Sequence, residues 1–524
     1  MKLFLPTFFA SVAFLSNFGV ESLNVKLSGI NYTVQKGPAW VELSEKCKTL
    51  AEVEQDLEAI KKYTNKIRIP YSPECNQADL VLPAAKKVGL QVELGIWTAK
   101  GRECMDQEKK MLTRLIDSGA FDKNVVCLHV GSGAVTREEF DDDTAVSYLL
   151  EIREHLAKSG FETPLTITED ISVYEKSPQL LSVVDFISIS LFTYWNPSDI
   201  NEAASFTYDR LKGLRMTAAP LKKPVELAET GWSSQGVDAR ASVSNPANQA
   251  KFLADLFYVF SNIGFPFSWY LALDSPWRTR EVEANFGLFT SNQTLKSHIE
   301  DLTIEEPKRM IIENTATKLV LSVFDTRVYI ETKSTNALQM EEQMWSYNAT
   351  SQQFRSQDGR ALDAYEPEDG GDVHTFRSLS TEGNQKWKFE KETGLIKHQT
   401  HAGFCLEADQ SRGNRVQLFT CSTSLLTASQ TDSLTQVTIT SNLHSDLLSV
   451  EMKKDEAPSS NLLGLCGAYV PNLNYIVQKG PTGANSSDKC RSMAEIVLYS
   501  AECDQAESVL FATKKAGLQV QLGI

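Results

Sequence analysis

The sequence predicts an α/β protein built from a (β/α)8 TIM barrel, a β-trefoil and a truncated partial repeat of the barrel. Three observations support this prediction. Short apolar runs alternate with amphipathic segments through residues 23–303, as strands and helices do in a (β/α)8 barrel. Residues 319–432 contain short strands and turns without a long amphipathic helix. Residues 471–524 repeat part of residues 29–96.

The amino terminus and the charge balance indicate a secreted protein. Residues 1–22 combine an early Lys2 with a short apolar core, which is the pattern of a signal peptide. The chain has 52 basic and 67 acidic residues, and the resulting formal net charge of −15 disfavours nucleic acid and anionic membranes as partners. No later segment has the length and apolarity of a membrane helix. We expect an extracellular monomer, and association with a cell wall is a further expectation.

The cysteines predict disulfides but no metal site. Nine cysteines are present, so at least one has no partner within the chain. Cys127 lies in an apolar strand and is predicted to be a buried thiol. No group of His and Cys has the spacing of a zinc site, and we expect neither a metal nor another cofactor.

Eight apolar runs predict the barrel strands, and each ends on a polar or aromatic residue. Function in this fold lies at the carboxyl ends of the strands. The runs are "LSGINY", "IRIPYS", "QVELGIW", "VVCLHVG", "LTITED", "FISISLF", "VELAETGW" and "FSWYLALD". Their endings are Asn31, Tyr71, Trp97, Ser132, Glu169, Tyr194, Glu229 and Asp274.

The second domain is predicted to follow a linker at residues 304–318. "EQMWSY" and "NQKWKF" lie 42 residues apart, and each precedes a similar unit of strands and turns. A repeat of this length predicts a threefold β architecture with a degraded third lobe. Trp345 and Trp387 are then expected to pack in its core.

The carboxyl terminus repeats the amino-terminal part of the barrel after a tail at residues 433–470. "NLNYIVQKGP" matches "GINYTVQKGP", and "ECDQAESVLFATKKAGLQVQLGI" matches "ECNQADLVLPAAKKVGLQVELGI". The copy is shorter, and the sequence predicts that it supplies the first and third strands without the second. Such a fragment cannot close a barrel alone. The sequence therefore predicts a degenerate partial repeat without a closed barrel. The alternative is that this repeat exchanges into the barrel of another protomer.

"VELAETGWSS" carries the clearest chemical signal. Glu229 ends a buried strand and is followed by Thr-Gly-Trp, which places a carboxylate beside an aromatic ring. Retaining glycoside hydrolysis uses two carboxyl groups, and aromatic rings stack on sugar faces. Two or three of five aromatic side chains at strand ends are expected to contact a ligand, and the others to pack the rim. The five are Tyr194, Trp195, Trp232, Trp269 and Trp277.

"GINY", "AETGW", "LDSPW" and "ANFGLF" make the first 300 residues resemble glycoside hydrolase family 17, the endo-1,3-β-glucanases and related transferases. The resemblance implies that Glu229 is the nucleophile and that β-1,3-glucan is the partner. It also places the acid/base glutamate of the family at Gly133, in "VGSGAVTRE". Further residues expected to contact substrate are Asn31, Tyr71, Ser132 and Asp274.

Gly133 leaves three interpretations open. The barrel binds β-1,3-glucan and hydrolyses it poorly or not at all, or another carboxylate, Glu169 or Glu138, replaces the acid. The third is that the glycine is a sequence or allele error in an ordinary glucanase. Ser275 in "DSPW" stands where the family usually has a second acidic residue in the cleft.

The second domain resembles the ricin-B-type β-trefoils. The resemblance implies one better-kept sugar site and a disulfide between Cys405 and Cys421. His374 stands where the family usually has Gln, and a further lobe keeps Gln417 and Phe419 with Glu407 in place of Asp. The residues of the predicted sugar site are Asp363, His374, Phe376, Asn384 and Gln385.

Overall fold

A computed structural model describes residues 23–69, 75–98, 101–304, 306–315, 317–409, 413–421, 437–441, 495–499 and 519–523. Eight parallel strands form a closed barrel in chain order, with β1 pairing both β2 and β8. This confirms the predicted barrel. Its strands are β1 Gly29–Asn31, β2 Lys66–Ile69, β3 Gln91–Ile96, β4 Val125–Ser132, β5 Leu165–Glu169, β6 Ile187–Ser190, β7 Val225–Thr230 and β8 Phe267–Trp269.

Helices surround the barrel, and several of them begin at polar side-chain caps. Thr49 and Glu52 form a capping box at α2, and the Asp141 side chain accepts the Thr144 N–H at the start of α5. The helices are α1 Leu43–Lys46, α2 Leu50–Ile60, α3 Gln77–Val88, α4 Arg102–Asp117, α5 Asp142–Lys158, α6 Ile171–Lys176, α7 Pro178–Val183, α8 Ala203–Ala218, α9 Pro246–Phe260, α10 Glu281–Ala284 and α11 Ser297–Glu300. Among the described residues, none of the helices is long and apolar enough to cross a membrane.

The second domain is an antiparallel β-rich domain consistent with a trefoil. Its one helix within the described residues is α12 Ala337–Glu341. Its strands are β9 Arg309–Asn314, β10 Val320–Phe324, β11 Arg327–Glu331, β12 Trp345–Asn348, β13 Gln353–Ser356, β14 Ala361–Asp363, β15 Gly371–Asp372, β16 His374–Phe376, β17 Trp387–Glu390, β18 Leu395–His398, β19 Phe404–Asp409, β20 Arg415–Thr420 and β21 Val437–Ser441.

The trefoil begins earlier than the sequence indicated. Strand β9 lies inside the predicted linker, yet it pairs with β10, β12 and β21. Strand β21 likewise lies beyond residue 432, in the predicted tail. The short "RMIIEN" run was read as a connection because a six-residue apolar run next to a charged segment gives a weak strand signal.

Two tryptophans form equivalent parts of the trefoil core, as the repeat predicts. Trp345 and Trp387 are both wholly buried. The indole N–H of Trp345 donates to the Leu321 carbonyl, and that of Trp387 donates to the Leu362 carbonyl. The repeated Gln-x-Trp is therefore a packing motif whose indole N–H is satisfied by a carbonyl of an earlier strand, β10 for Trp345 and β14 for Trp387.

The barrel and the trefoil share a polar junction around Arg309. This side chain is buried, with its guanidinium carbon 4.3 Å from the centre of the Tyr258 ring. It donates to the Tyr258 hydroxyl and carbonyl oxygens at 2.9 and 2.8 Å. Gln357 also donates to the Val259 carbonyl at 2.7 Å. Strand β9 is thereby fastened to the end of α9.

The carboxyl-terminal repeat corrects one prediction. Strands β22 Glu495–Tyr499 and β23 Gln519–Gly523 pair in parallel. "EIVLYSAEC" occupies the position of "IRIPYSPEC", so β22 corresponds to β2 and β23 to β3. The prediction that the second strand is missing was therefore wrong. The shortening instead falls in the interval between Cys490 and Cys503, which matches the part of the barrel that contains α2.

Two disulfides are formed in the described residues. The bond between Cys405 and Cys421 joins β19 to the end of β20, as the resemblance implied. A second bond between Cys47 and Cys75 ties the loop before α2 to the start of α3. Cys127 is a buried thiol, as expected.

Candidate active site

Glu229 lies on β7 and is held by three side chains from neighbouring strands. The guanidinium of Arg68 on β2 donates to its Oε1. The Ser132 hydroxyl at the end of β4 donates to Oε1 at 3.2 Å, and the Ser190 hydroxyl at the end of β6 donates to Oε2 at 2.9 Å. Both carboxylate oxygens are thus occupied, which fixes the orientation of the group.

The surroundings of Glu229 favour its ionised form. Burial raises the pKa of this carboxyl, but the positive charge of Arg68 and the three donated hydrogen bonds outweigh burial. The pKa of Glu229 therefore lies below its usual value. A carboxylate that stays ionised and fixed has the properties of a nucleophile rather than of a general acid.

Arg68 owes its position to the interior of the barrel. Its side chain is wholly buried, and it donates to the Asn31 amide oxygen at 2.8 Å and to the Thr168 hydroxyl at 3.0 Å. Asn31 is itself wholly buried and donates to the Ala228 carbonyl. Asn31 was predicted to contact substrate; the structure instead places it behind Arg68, where it positions the partner of Glu229.

Gly133 ends β4 without a carboxylate, in a conformation that disfavours other residues. Its φ is +66°, in the left-handed region. A Cβ added there would lie 2.6 Å from Nη1 of Arg137. The Arg137 guanidinium carbon also lies 5.7 Å from the centre of the Trp97 ring. Arg137 therefore occupies the space into which a side chain at position 133 would extend.

The two candidate substitutes for the acid differ in exposure. Glu169 is wholly buried, and its oxygens accept the Val135 N–H, the Thr136 N–H and the Thr136 hydroxyl. Burial raises the pKa of Glu169, which these hydrogen bonds only partly offset. Glu138 is exposed on the same loop. The contacts of Glu169 are those of a group that holds residues 133–137 in place.

The five aromatic side chains separate into two groups. Tyr194, Trp232 and Trp269 are wholly buried and hydrogen-bonded within the rim, so their predicted contact with a ligand is not supported. Trp195 and Trp277 are partly exposed. The guanidinium of Arg280 lies 4.9 Å from the centre of the Trp195 ring. These two rings are the members of the set that a sugar could reach.

The remaining predicted residues of the cleft follow β8 and β2 along the chain. Asp274 is partly exposed and pairs with Lys296 at 2.8 Å. Burial raises the pKa of Asp274, and the Lys296 charge opposes this effect. Ser275, beside it, is buried. Tyr71 lies outside the described residues.

The predicted sugar site of the trefoil contains a buried support and an exposed face. Gln385 is wholly buried and donates to the Asp363 carboxylate at 3.0 Å, while Asn384 accepts the Ala364 N–H at its carbonyl. The His374 ring contacts two other rings. Its centre lies 5.8 Å from the centre of the Tyr365 ring and 6.2 Å from that of the Phe376 ring. Tyr365, which the sequence did not single out, is 51% exposed and Phe376 is 41% exposed. Together they offer an aromatic face beside a carboxylate.

Sequence reasoning missed Arg68 and Ser190. Arg68 lies in "KIRIP", where a charged residue inside an apolar strand signals a buried polar partner. That signal predicts a partner but not which strand supplies it. Ser190 gives no comparable signal, since serine is common at strand ends.

The fold is a (β/α)8 barrel followed by an antiparallel β domain consistent with a trefoil, and each of the two domains matches a known family. Residues 29–287 match the BtgE/BtgC glycoside hydrolase domain, and residues 308–439 match the ricin-type beta-trefoil lectin domain. The chain therefore combines a BtgE/BtgC glycoside hydrolase domain, similar to glycoside hydrolase family 17, with a ricin-type lectin domain.

The relatives are distant. A glucan 1,3-beta-glucosidase of Saccharomyces cerevisiae is 22% identical over 48% of this chain and 86% of its own length. The btgC protein of Aspergillus niger is 23% identical over 47% of this chain, and the match spans only 40% of that protein. Among solved structures, an active-site mutant of a Rhizomucor miehei beta-1,3-glucanosyltransferase in complex with laminaritriose is 28% identical. That comparison covers 53% of this chain and 98% of the other, with a TM-score of 0.47.

Proposed function

We propose that the protein is a secreted β-1,3-glucan-binding glycoside hydrolase of the endo-1,3-β-glucosidase type whose retaining hydrolysis is impaired at the acid/base step. One observation carries the proposal: Glu229 keeps a complete set of hydrogen-bond donors, whereas Gly133 offers no carboxyl group. The distant glucan 1,3-beta-glucosidase relatives support β-1,3-glucan as the ligand. The two disulfides support an extracellular location.

The consequence for the chemistry follows from the two halves of a retaining mechanism. Glu229 would attack the anomeric carbon while the glycosidic oxygen leaves, and water would later release the sugar from Glu229. The leaving oxygen needs a proton in the first step, and the water needs a base in the second. Arg137 can serve neither purpose, because a guanidinium stays protonated in proteins. Loss of a general acid/base lowers the rate about 10²–10⁴-fold.

The second candidate function is a non-catalytic carbohydrate-binding protein. It is favoured by Arg137, whose guanidinium fills the position of the missing acid, and by the exposed aromatic face of the trefoil. Both candidates bind glucan, so turnover has to separate them.

The test compares the wild-type protein with Gly133→Glu on laminarin, and Gly133→Ala is the matched control. The alanine variant introduces the same left-handed strain without a carboxyl group. We expect Gly133→Glu to hydrolyse laminarin about 10²–10⁴ times faster than either of the other two proteins. Equal rates for all three would refute the assignment of position 133 as the acid/base.

An aryl β-glucoside with an acidic leaving group tests the nucleophile separately. Such a leaving group departs without protonation, so Glu229 should form a glycosyl-enzyme that accumulates in the wild-type protein. Azide should then release it as a glycosyl azide, because azide needs no general base. Glu229→Gln should form no adduct. If the wild-type protein forms none either and Gly133→Glu stays inactive, the non-catalytic alternative holds.

A further inference from the structure

A cluster of potential metal ligands lies inside the barrel. It includes none of the residues that hydrogen-bond to Glu229. Glu93 comes from β3, and Cys127 and His129 come from β4. All three are buried, and one ligand atom of each lies within 4.8 Å of those of the other two. Glu226 on β7 adds a carboxylate whose Oε1 lies 4.0 Å from Nε2 of His129. Cysteine, histidine and carboxylate are the ligand types that Zn²⁺ prefers.

The spacing of the ligand atoms fits tetrahedral coordination. Nε2 of His129 lies 3.4 Å from Oε2 of Glu93 and 3.5 Å from Sγ of Cys127. Metal–ligand bonds of about 2.0–2.3 Å at tetrahedral angles place ligand atoms about 3.3–3.7 Å apart. The first two separations fall in this range. The separation of 4.0 Å between Oε1 of Glu226 and Nε2 of His129 is a few tenths of an ångström longer than this range.

Two oxygens in the cluster have no hydrogen-bond partner. Oε2 of Glu93 and Oε1 of Glu226 are both buried and unsatisfied. A buried carboxylate oxygen without a donor is destabilising, and a cation would remove that penalty. Glu93 is 2% exposed, so bulk water does not supply the missing donor.

His129 is oriented as a metal ligand would be. Its Nδ1 lies 2.8 Å from the Thr168 hydroxyl and 3.3 Å from the Ser188 hydroxyl. Partners on one ring nitrogen fix the ring and leave the other nitrogen directed at the cluster.

The charges balance when a divalent cation is included. Lys66 forms an ion pair with Oε1 of Glu93. Its positive charge would repel a cation if the negative charges of the cluster did not compensate for it. With Cys127 as thiolate and Glu93 and Glu226 ionised, the ligands carry three negative charges. Lys66 and a divalent metal together carry three positive charges.

We propose that the barrel interior holds one structural divalent metal of the zinc type, bound by Sγ of Cys127, Nε2 of His129, Oε2 of Glu93 and Oε1 of Glu226. The sequence predicted no metal, because the four ligands come from three strands and show no zinc spacing along the chain. Burial of all but Glu226 means that the metal enters as the barrel folds. Through His129, Thr168 and Arg68, this cluster adjoins the partner of Glu229.

Cobalt substitution of the full chain tests the proposal. The protein, with its disulfides intact, is unfolded in guanidinium with a chelator, freed of the chelator and refolded with Co²⁺. We expect one cobalt per chain and a thiolate-to-cobalt charge-transfer band. Cys127→Ser should lose the band and bind at least tenfold less metal. Cys104→Ser, which changes another buried cysteine, should retain both.

Two further measurements keep the test independent of variant folding. The wild-type protein should show about one equivalent of zinc by mass spectrometry of the metal, and its melting temperature should fall when it is refolded without metal. Wild-type protein that is refolded with Co²⁺ or Zn²⁺ present, regains its native near-ultraviolet circular dichroism and still retains less than a tenth of an equivalent of that metal would overturn the proposal. A charge-transfer band that persists in Cys127→Ser would do so as well. Neither outcome bears on glucan turnover.

Discussion

The ends of β7 and β4 lie on the same rim of the barrel but differ in whether a carboxylate faces the nearby positive charge. Glu229 on β7 keeps an arginine and two serine hydroxyls that together serve one ionised carboxylate. Position 133 on β4 has a glycine, and an arginine fills the adjacent space. The difference shows that a carboxylate can keep its full set of hydrogen-bond donors at one strand end while another strand end on the same rim has no carboxyl group.

The largest effect should follow from removing the charge beside Glu229. Arg68→Met leaves a buried carboxylate without its counter-charge, and breaking a buried pair in this way costs about 3–5 kcal/mol of unfolding free energy at neutral pH. The pKa of Glu229 is lowered in the folded protein, so the pair stabilises the protein above the usual carboxyl pKa and loses this effect as pH falls through the folded value. Urea titrations at several pH values should therefore show the loss shrinking below about pH 4.

Arg68→Lys is the control for that prediction, because it keeps the charge and loses the forked geometry. It should be destabilised less than Arg68→Met at neutral pH. A loss in Arg68→Met that does not change with pH would show that packing, not the ion pair, is the source of the stability.

A smaller effect is expected at the support of the β4 loop. Glu169→Gln replaces an acceptor of three hydrogen bonds by a group with one acceptor oxygen. Leaving buried donors unsatisfied costs about 1–3 kcal/mol. Hydrogen exchange at the Val135 and Thr136 amides should accelerate. Glu138→Gln, on the exposed part of the same loop, should change stability by less than about 0.5 kcal/mol.

Glu169→Gln and Glu138→Gln also test whether Glu169 supports the loop or acts as the acid. If Glu169 only supports the loop, Glu169→Gln should lower the turnover of laminarin only to the extent that it lowers the folded fraction of the protein. A total loss of turnover in Glu169→Gln with unchanged stability would instead make Glu169 the replacement acid.

The smallest effect should come from Gly133→Ala. A left-handed φ of +66° disfavours alanine by about 1–2 kcal/mol, and the terminal Nη1 of Arg137 has to move. Gly213→Ala, at a helical position with open space around it, should instead stabilise the protein by about 0.5–1 kcal/mol. Thermal or urea unfolding of the two variants measures the contrast, and equal signs would contradict it.

The sequence predicted what depends on local pattern. Alternation of apolar runs predicted the eight strands, and Glu229 was found because its motif is contiguous along β7. The repeated tryptophans were identified as core residues for the same reason. The same reasoning misplaced the start of the trefoil, because β9 is recognisable as a strand only through its partners β12 and β21.

The rest of the site arises from closing the barrel. Arg68, Ser132 and Ser190 meet at Glu229 only because β2, β4 and β6 curve around a common axis. Periodicity also could not separate Trp195 from Trp232, since both follow a strand end and only packing decides that the second is buried. Asn31 was misread for the same reason.

The junction at Arg309 has a consequence for how the molecule unfolds. Its guanidinium is buried against Tyr258 of α9, so unfolding of either domain would break this cation–π contact and the hydrogen bonds to Tyr258. The stabilities of barrel and trefoil are therefore linked, and calorimetry of the full chain should give one coupled transition for the two. The trefoil is then part of what keeps the barrel folded, and cutting the chain at residue 304 would not yield an independent barrel of equal stability.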